Sequence, residues 1–241
     1  MQTIESPTKP AREEINGHIL KLMVGIMALC LAALTNAFNK LNGGRPLESI
    51  SDSYWQGGWS QTIFLGFLFA IAAFLFSYNG KSTAEMIMSK IASLAAIGVA
   101  MFPCGCGDHT EIIKRVHFIS AGLMFIVLVY FCYKFYKRAL EPKDGETVVY
   151  TEAIFRAFIY AVCGIAICTV IAGVSLDALF TEEGRKVGPI VARFQNFIFY
   201  AEETGLVAFG IAWLVASRTI PLITAEPERF SLNPYLLQVE K

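Results

Sequence analysis

The residues best suited to chemistry in this sequence form a short polar segment between two apolar runs. Residues 102–109 are Phe-Pro-Cys-Gly-Cys-Gly-Asp-His. Cys104, Cys106, Asp108 and His109 all belong to metal-binding residue types, although their spacing is not one of the common zinc patterns. The two cysteines could instead form a local disulfide or a structural cap, although so short a disulfide ring is strained, or they could stay as buried thiols. We expect the cap or disulfide first, thiols second and a metal site last.

Ionisable residues inside apolar runs are the second group of candidates. His117 lies about one turn into its run, and Glu202 and Glu203 lie about two turns into the last run. Such a side chain costs about 2.5 to 3.5 kcal/mol to insert into hydrocarbon, so it normally faces a partner inside the bundle. We expect one glutamate to aim at His117, and favour Glu203 because Asn196 and Gly210 recur on its face at seven-residue spacing. The structural alternative is a His–Glu hydrogen bond that only locks two helices.

Asp52, in the first polar loop, completes the candidate catalytic set of His117, Glu203, Glu202 and Asp52. A histidine near a carboxylate can act as a general base, with Ser51 or Ser120 as the nucleophile. No nucleophile elbow or dense metal motif supports catalysis, however. These residues do not identify a cofactor. They disfavour haem, because His18 and His117 are expected on opposite sides of the membrane.

The elements that must position these residues are membrane spans. Hydrophobic residues make up 55% of the chain and charged residues 17%, which is typical of an integral membrane protein. The formal net charge is zero, so nothing indicates a nucleic-acid partner. The sequence predicts an all-α, polytopic protein with six transmembrane helices in one bundle. The expected spans are 19–38, 61–78, 86–101, 116–133, 154–174 and 194–217, between a cytosolic arm (1–18) and a cytosolic tail (218–241).

The distribution of positive charge predicts the orientation. Thirteen of the 20 Lys and Arg residues lie on the side that holds both termini. Because cytoplasmic loops retain positive charge, we expect both termini in the cytoplasm. The loops at 50–54 and 104–109 then share the opposite face. We expect the first to fold over the bundle near the second, anchored at the interface by Trp55 and Trp59.

Several short motifs resemble a known superfamily. Ser49-Ile50-Ser51-Asp52, the pattern His-x-x-x-Ala-Gly-x-x-Phe over residues 117–125, and a glutamate in the last span are similar to the six-span superfamily of damage-regulated autophagy modulators and Frag-type proteins of GPI-anchor lipid remodelling. Phe102-Pro103-Cys104 resembles its bacterial branch, a domain of unknown function. Ser53-Tyr54 departs from the pattern, where a glycine is expected, and so do the two adjacent glutamates. The resemblance implies lipid-related work in an outer or luminal leaflet, and its bacterial branch implies a bacterial inner membrane.

Two functional hypotheses of different kinds follow. In the first, the protein is an enzyme or binder that handles membrane lipid through a pocket of Asp52, His117, Glu202 and Glu203 open to the non-cytoplasmic leaflet. In the second, it is a non-catalytic subunit whose buried polar residues fix helix packing while its loops hold other membrane protein subunits. A co-purifying lipid favours the first, and a stoichiometric protein partner favours the second.

Overall fold

Six long helices pack side by side in a closed ring. The structure, a computed structural model, describes residues 16–106, 109–113, 115–142, 151–181, 188–194, 196–224 and 229–230. The long helices are α1 (Gly17–Leu41), α3 (Gly58–Ser77), α4 (Thr83–Met101), α5 (Val116–Leu140), α6 (Thr151–Leu179) and α8 (Phe197–Ala216). Two short helices, α2 (Ser53–Gln56) and α7 (Pro189–Arg193), and a 3-10 turn (Pro221–Ile223) complete the described elements. The ring runs α1, α3, α4, α5, α6, α8 and closes where α8 packs on α1.

All six long helices are long and apolar enough to cross a membrane, which confirms the predicted fold class. Their bounds differ from the expected spans for local reasons. Helix α5 continues to Leu140 because its last turns carry Lys and Arg, which keep helical propensity and suit a helix C-terminus. Helix α8 begins only at Phe197, since Asn196 is in the left-handed conformation with φ of 62°.

The ring has two distinct ends. At the loop end, α1 and α4 finish and α5 and α8 begin, so the candidate residues near positions 50, 117 and 202 meet there. At the termini end, α1 begins beside the end of α8, as the 2.8 Å contact between His18 Nδ1 and the Ser217 carbonyl shows. Of the two predicted cytosolic segments, residues 1–15, 225–228 and 231–241 lie outside the described part of the chain.

Small residues and a cluster of aromatic rings hold the ring of helices together. Trp213 of α8 is fully buried, and its ring packs edge-on against Tyr78, Phe131 and Phe135. Helices α1 and α8 approach so closely at Gly25 and Gly210 that a side chain on either glycine would meet the other's carbonyl oxygen. Such contacts substitute for the hydrophobic driving force that helices lack in lipid. They fix the spacing of the helices that carry the candidate site.

Candidate functional site

The first loop, residues 42–57, lies against the loop end of the bundle. Leu47 and Ile50 are buried, and they anchor the loop on the helices. The Trp55 indole donates a hydrogen bond of 2.8 Å to the Cys104 carbonyl, and its ring stacks on His109 at 4.2 Å between centroids. The prediction that this loop packs near residues 104–109 is therefore confirmed for the described residues 104–106 and 109. The two loops cover the helix ends that carry the polar residues.

Asp52 braces this loop from within. Its fully buried carboxylate pairs with the Arg45 guanidinium at 2.9 Å and accepts 3.3 Å hydrogen bonds from the Glu48 backbone N–H and the Gln56 amide. Burial raises the pKa of Asp52 above the ordinary carboxyl value, although the neighbouring Arg45 opposes that rise. All of these partners belong to the loop itself. Asp52 therefore shapes the loop, while other residues reach His117.

Glu202 is the glutamate that faces the loop. Its Oε2 accepts backbone N–H groups from Ile50 at 2.6 Å and from Ser51 at 3.2 Å, and its Oε1 lies 3.2 Å from the Ser51 hydroxyl. Three contacts to two adjacent loop residues pin the loop to α8. Glu202 is partly exposed as a residue, but its carboxylate is enclosed by these contacts.

The preference for Glu203 was wrong. Its carboxylate has no hydrogen-bond or ion-pair partner among the described residues. Asn196, Glu203 and Gly210 do not form the expected polar face. Asn196 precedes the helix, and Gly210 packs against α1. Neighbouring positions on a helix point about 100° apart, so only one of the two glutamates can face the loop.

His117 meets Glu202 through Ser51 rather than directly. The imidazole is almost fully buried, and its Nδ1 lies 2.8 Å from the Phe102 carbonyl. A carbonyl oxygen only accepts, so Nδ1 carries the hydrogen and donates. Nε2 lies 3.2 Å from the Ser51 hydroxyl, which is also the partner of Glu202. The expected direct His–Glu contact is therefore replaced by a chain with a loop serine at its centre.

The Ser51 hydroxyl has one hydrogen to donate, and it lies between two possible acceptors, His117 and Glu202. With neutral His117, Ser51 donates to Nε2, and a protonated Glu202 then donates to Ser51. With charged His117, Nε2–H donates to Ser51, which donates to an ionised Glu202. The two arrangements contain the same number of protons and differ by one proton shift at each contact. The chain His117–Ser51–Glu202 can therefore relay a proton.

The geometry does not reproduce an acyl-transfer triad. In a triad the acid binds the histidine nitrogen remote from the nucleophile, whereas here a backbone carbonyl occupies that nitrogen and the acid binds the serine. Ser120, the other candidate nucleophile, lies over Gly98 of α4, where it fills the space left by the missing side chain. Ser51 is therefore a hydrogen-bonding centre, and Ser120 is a packing residue.

The three metal candidates that the structure describes do not come together as ligands. Cys104 and Cys106 form a disulfide, as the first of the sequence alternatives predicts, and this bond removes both thiolates. The His109 ring is stacked on Trp55, and Asp108 lies outside the described residues. In the part of the chain that the structure describes, no group of three or more His, Cys, Asp or Glu residues could hold a metal ion.

Sequence reasoning missed an ion pair at the termini end. Glu85, near the start of α4, is buried and accepts a hydrogen bond from Arg138, near the end of α5. Its other oxygen accepts the Lys81 backbone N–H at 3.1 Å. The sequence contained a signal for this ion pair. Helices α4 and α5 are consecutive and antiparallel, so the start of α4 and the end of α5 lie together, and they carry opposite charges.

No protein-family model, curated protein or solved structure matches this chain. The resemblance to the six-span superfamily stays a prediction drawn from the motif residues. The assignment of six candidate membrane spans does not depend on this resemblance, because it follows from the length and hydropathy of the described helices.

Proposed function

We propose that this protein binds the headgroup of a membrane lipid at the loop end, with Ser51, His117 and Glu202 as the polar centre. The observation that carries the proposal is the position of the Ser51 hydroxyl, 3.2 Å from both His117 Nε2 and Glu202 Oε1. When His117 is neutral and Glu202 ionised, these two acceptors compete for one hydrogen. A headgroup hydroxyl or ammonium that enters beside Glu202 supplies the missing donor.

The surroundings favour an amphiphilic ligand. Phe118 and Ile119, directly after His117, are largely exposed on the outside of the ring, and so is Tyr200, two residues before Glu202. A lipid can place its acyl chains along these side chains while its headgroup lies at the loop beside Glu202. The motif resemblance to lipid-remodelling proteins points the same way. We therefore infer lipid as the ligand class, and the relay would let the same site transfer a proton.

The lipid would belong to the non-cytoplasmic leaflet of a bacterial inner membrane. The positive-charge count supports cytoplasmic termini, and a disulfide at the loop end suits a compartment that is oxidising. Intact cells are treated with an impermeant thiol reagent before and after an impermeant reductant. Labelling of Cys104 and Cys106 that appears on reduction agrees with this orientation, whereas labelling that requires lysis inverts it.

Lipid retention by purified protein tests the function itself. Native mass spectrometry measures bound lipid for the wild type, His117→Ala, Ser51→Ala and the control Ser120→Ala. We expect His117→Ala and Ser51→Ala to lose the lipid while remaining folded, and Ser120→Ala to keep it. A lower melting temperature with unchanged lipid in His117→Ala would assign the histidine a structural role and refute the proposal.

The alternative is a non-catalytic subunit of a larger membrane assembly. One observation favours it: all three contacts of the Glu202 carboxylate hold the loop in place. A loop fixed so firmly could present a surface to another membrane protein. Purification in mild detergent decides between the two functions. A stoichiometric protein partner that is lost in His117→Ala, with no lipid bound to the wild type or the variant, supports the subunit role.

A further inference from the structure

A cavity at the termini end is lined by basic side chains from across the ring. Its volume is ≈ 70 Å³, and its lining includes His18, Lys21, Lys81, Arg138, Arg156 and Arg218. These residues come from α1, the α3–α4 turn, α5, α6 and the segment after α8. Since one water needs roughly 10–15 Å³, the cavity has room for about five to seven waters, which suits a group of about five heavy atoms.

Lys21 makes this cavity unusual. Its side chain is 8% exposed, and its ammonium has no hydrogen-bond or ion-pair partner among the described residues. Its Nζ lies 5.6 Å from the centroid of the Tyr78 ring, which is a cation–π contact. Arg138, Arg218 and Lys81 repel this charge, and Glu85 attracts it. An ammonium with more like than opposite charges around it in so confined a site is unfavourable, so the arrangement suits an anion.

Glu85, the acidic residue that attracts Lys21, does not supply that anion. Glu85 is bound to Arg138 and to the Lys81 backbone N–H, so its two oxygens are committed. Arg156 donates to the Ile223 carbonyl at 2.9 Å, and both Arg156 and Arg218 have additional partners. The ammonium groups of Lys21 and Lys81 are therefore the donors that a ligand would engage first, with Arg138 beside them.

We propose that this cavity binds a phosphate group. Several cations that converge from different helices match a tetrahedral anion of high charge density, and lysine binds phosphate as a point charge. The cavity lies where the apolar helices end, which is the depth of lipid headgroups. Ile19 and Leu222 are exposed at the same end and could contact acyl chains. The phosphate is thus either that of an anionic lipid or a free phosphate ion, and the site is separate from the one at the loop end.

Thermal stability with defined phosphate sources tests the site. The full-length protein is measured in detergent with inorganic phosphate against chloride at matched ionic strength, and in nanodiscs of phosphatidylcholine with and without phosphatidic acid. Lys21→Met and Lys81→Met remove cavity charges. Lys137→Met is the matched control, because Lys137 is exposed at the same end and its ammonium lies over the Tyr133 ring outside the cavity.

The proposal expects a rise in melting temperature with at least one phosphate source, unchanged in Lys137→Met. Lys21→Met should weaken binding of that source by roughly 10- to 100-fold, as for loss of one charge-assisted hydrogen bond. It should also melt higher than the wild type without phosphate, because the unpaired charge is gone. A response to phosphatidic acid alone assigns a lipid headgroup, and a response to both assigns phosphate in general. No response to either source, or equal responses in Lys21→Met and Lys137→Met, overturns the proposal.

Discussion

Replacing Glu202 by alanine should release the first loop from the bundle. The carboxylate accepts two backbone N–H groups and faces one hydroxyl, and both N–H groups belong to buried residues. Hydrogen bonds to a charged group contribute about 1.5–3 kcal/mol each, but contacts to one carboxylate are not additive. We therefore expect about 2–4 kcal/mol of local destabilisation. At about 1.4 kcal/mol per tenfold change, the loop should open roughly 30- to 1000-fold more often.

Hydrogen–deuterium exchange read by mass spectrometry measures this opening in peptides that cover residues 47–56. Glu203→Ala is the matched control, since it removes the same side chain one position along the helix and breaks no contact with a described residue. A surface change of this kind should stay within about 0.5 kcal/mol, or about twofold in exchange rate. Equal acceleration in the two variants, or none in Glu202→Ala, would refute the assignment of Glu202 as the anchor of the loop.

Glu202→Gln separates the two proton arrangements of the relay. Glutamine resembles a protonated glutamate, because it keeps one acceptor oxygen for the backbone N–H groups and presents a donor to Ser51. If Glu202 is protonated in the folded protein, the loop should exchange at nearly the wild-type rate. If it is ionised, the loop should open at least tenfold more often, since the charge-assisted contacts are lost.

Three further predictions concern packing and the two ends, each followed by the melting temperature in detergent. Gly210→Ala should cost about 1–3 kcal/mol because its Cβ would lie 2.7 Å from Leu29 and 3.0 Å from the Gly25 carbonyl oxygen, whereas Gly66→Ala, with open space around it, should be nearly neutral. Arg138→Leu should cost about 3–5 kcal/mol by leaving the buried Glu85 carboxylate without its ion-pair partner, and adding Glu85→Leu should recover most of that loss. Trp55→Phe should cost about 0.5–1.5 kcal/mol through the hydrogen bond to Cys104, while the same change at the exposed Trp59 should have no effect.

The spans could be predicted from sequence because hydropathy over about 20 residues depends on no tertiary detail. The meeting of the first loop with residues 104–109 could also be predicted, since alternation of spans places both loops at one end. Hydropathy alone could not place the ends of the helices. Helix α5 extends past Tyr133 to Leu140, because charged residues can continue a helix beyond the apolar run.

The choice between Glu202 and Glu203 could not be made from periodicity. A seven-residue recurrence marks a face only when each member lies in the helix, and Asn196 does not. The role of Ser51 was equally hidden, because a loop residue has no helical phase that would aim it at His117. The basic cavity was missed because its residues are spread from position 18 to position 218 and converge only when the ring closes.

Each end of the bundle holds a polar group whose interactions a ligand would complete. At the loop end, a single hydroxyl hydrogen lies between His117 and Glu202, so a ligand that donates a hydrogen bond would satisfy both. At the termini end, Lys21 has a charge and no counter-ion among the described residues, so a ligand that accepts would satisfy it. Buried polar groups in folded proteins are nearly always paired, and unpaired ones are costly in hydrocarbon. Ligands of opposite hydrogen-bonding character at the two ends would therefore stabilise the same ring of helices, and mutations at one end should leave binding at the other unchanged.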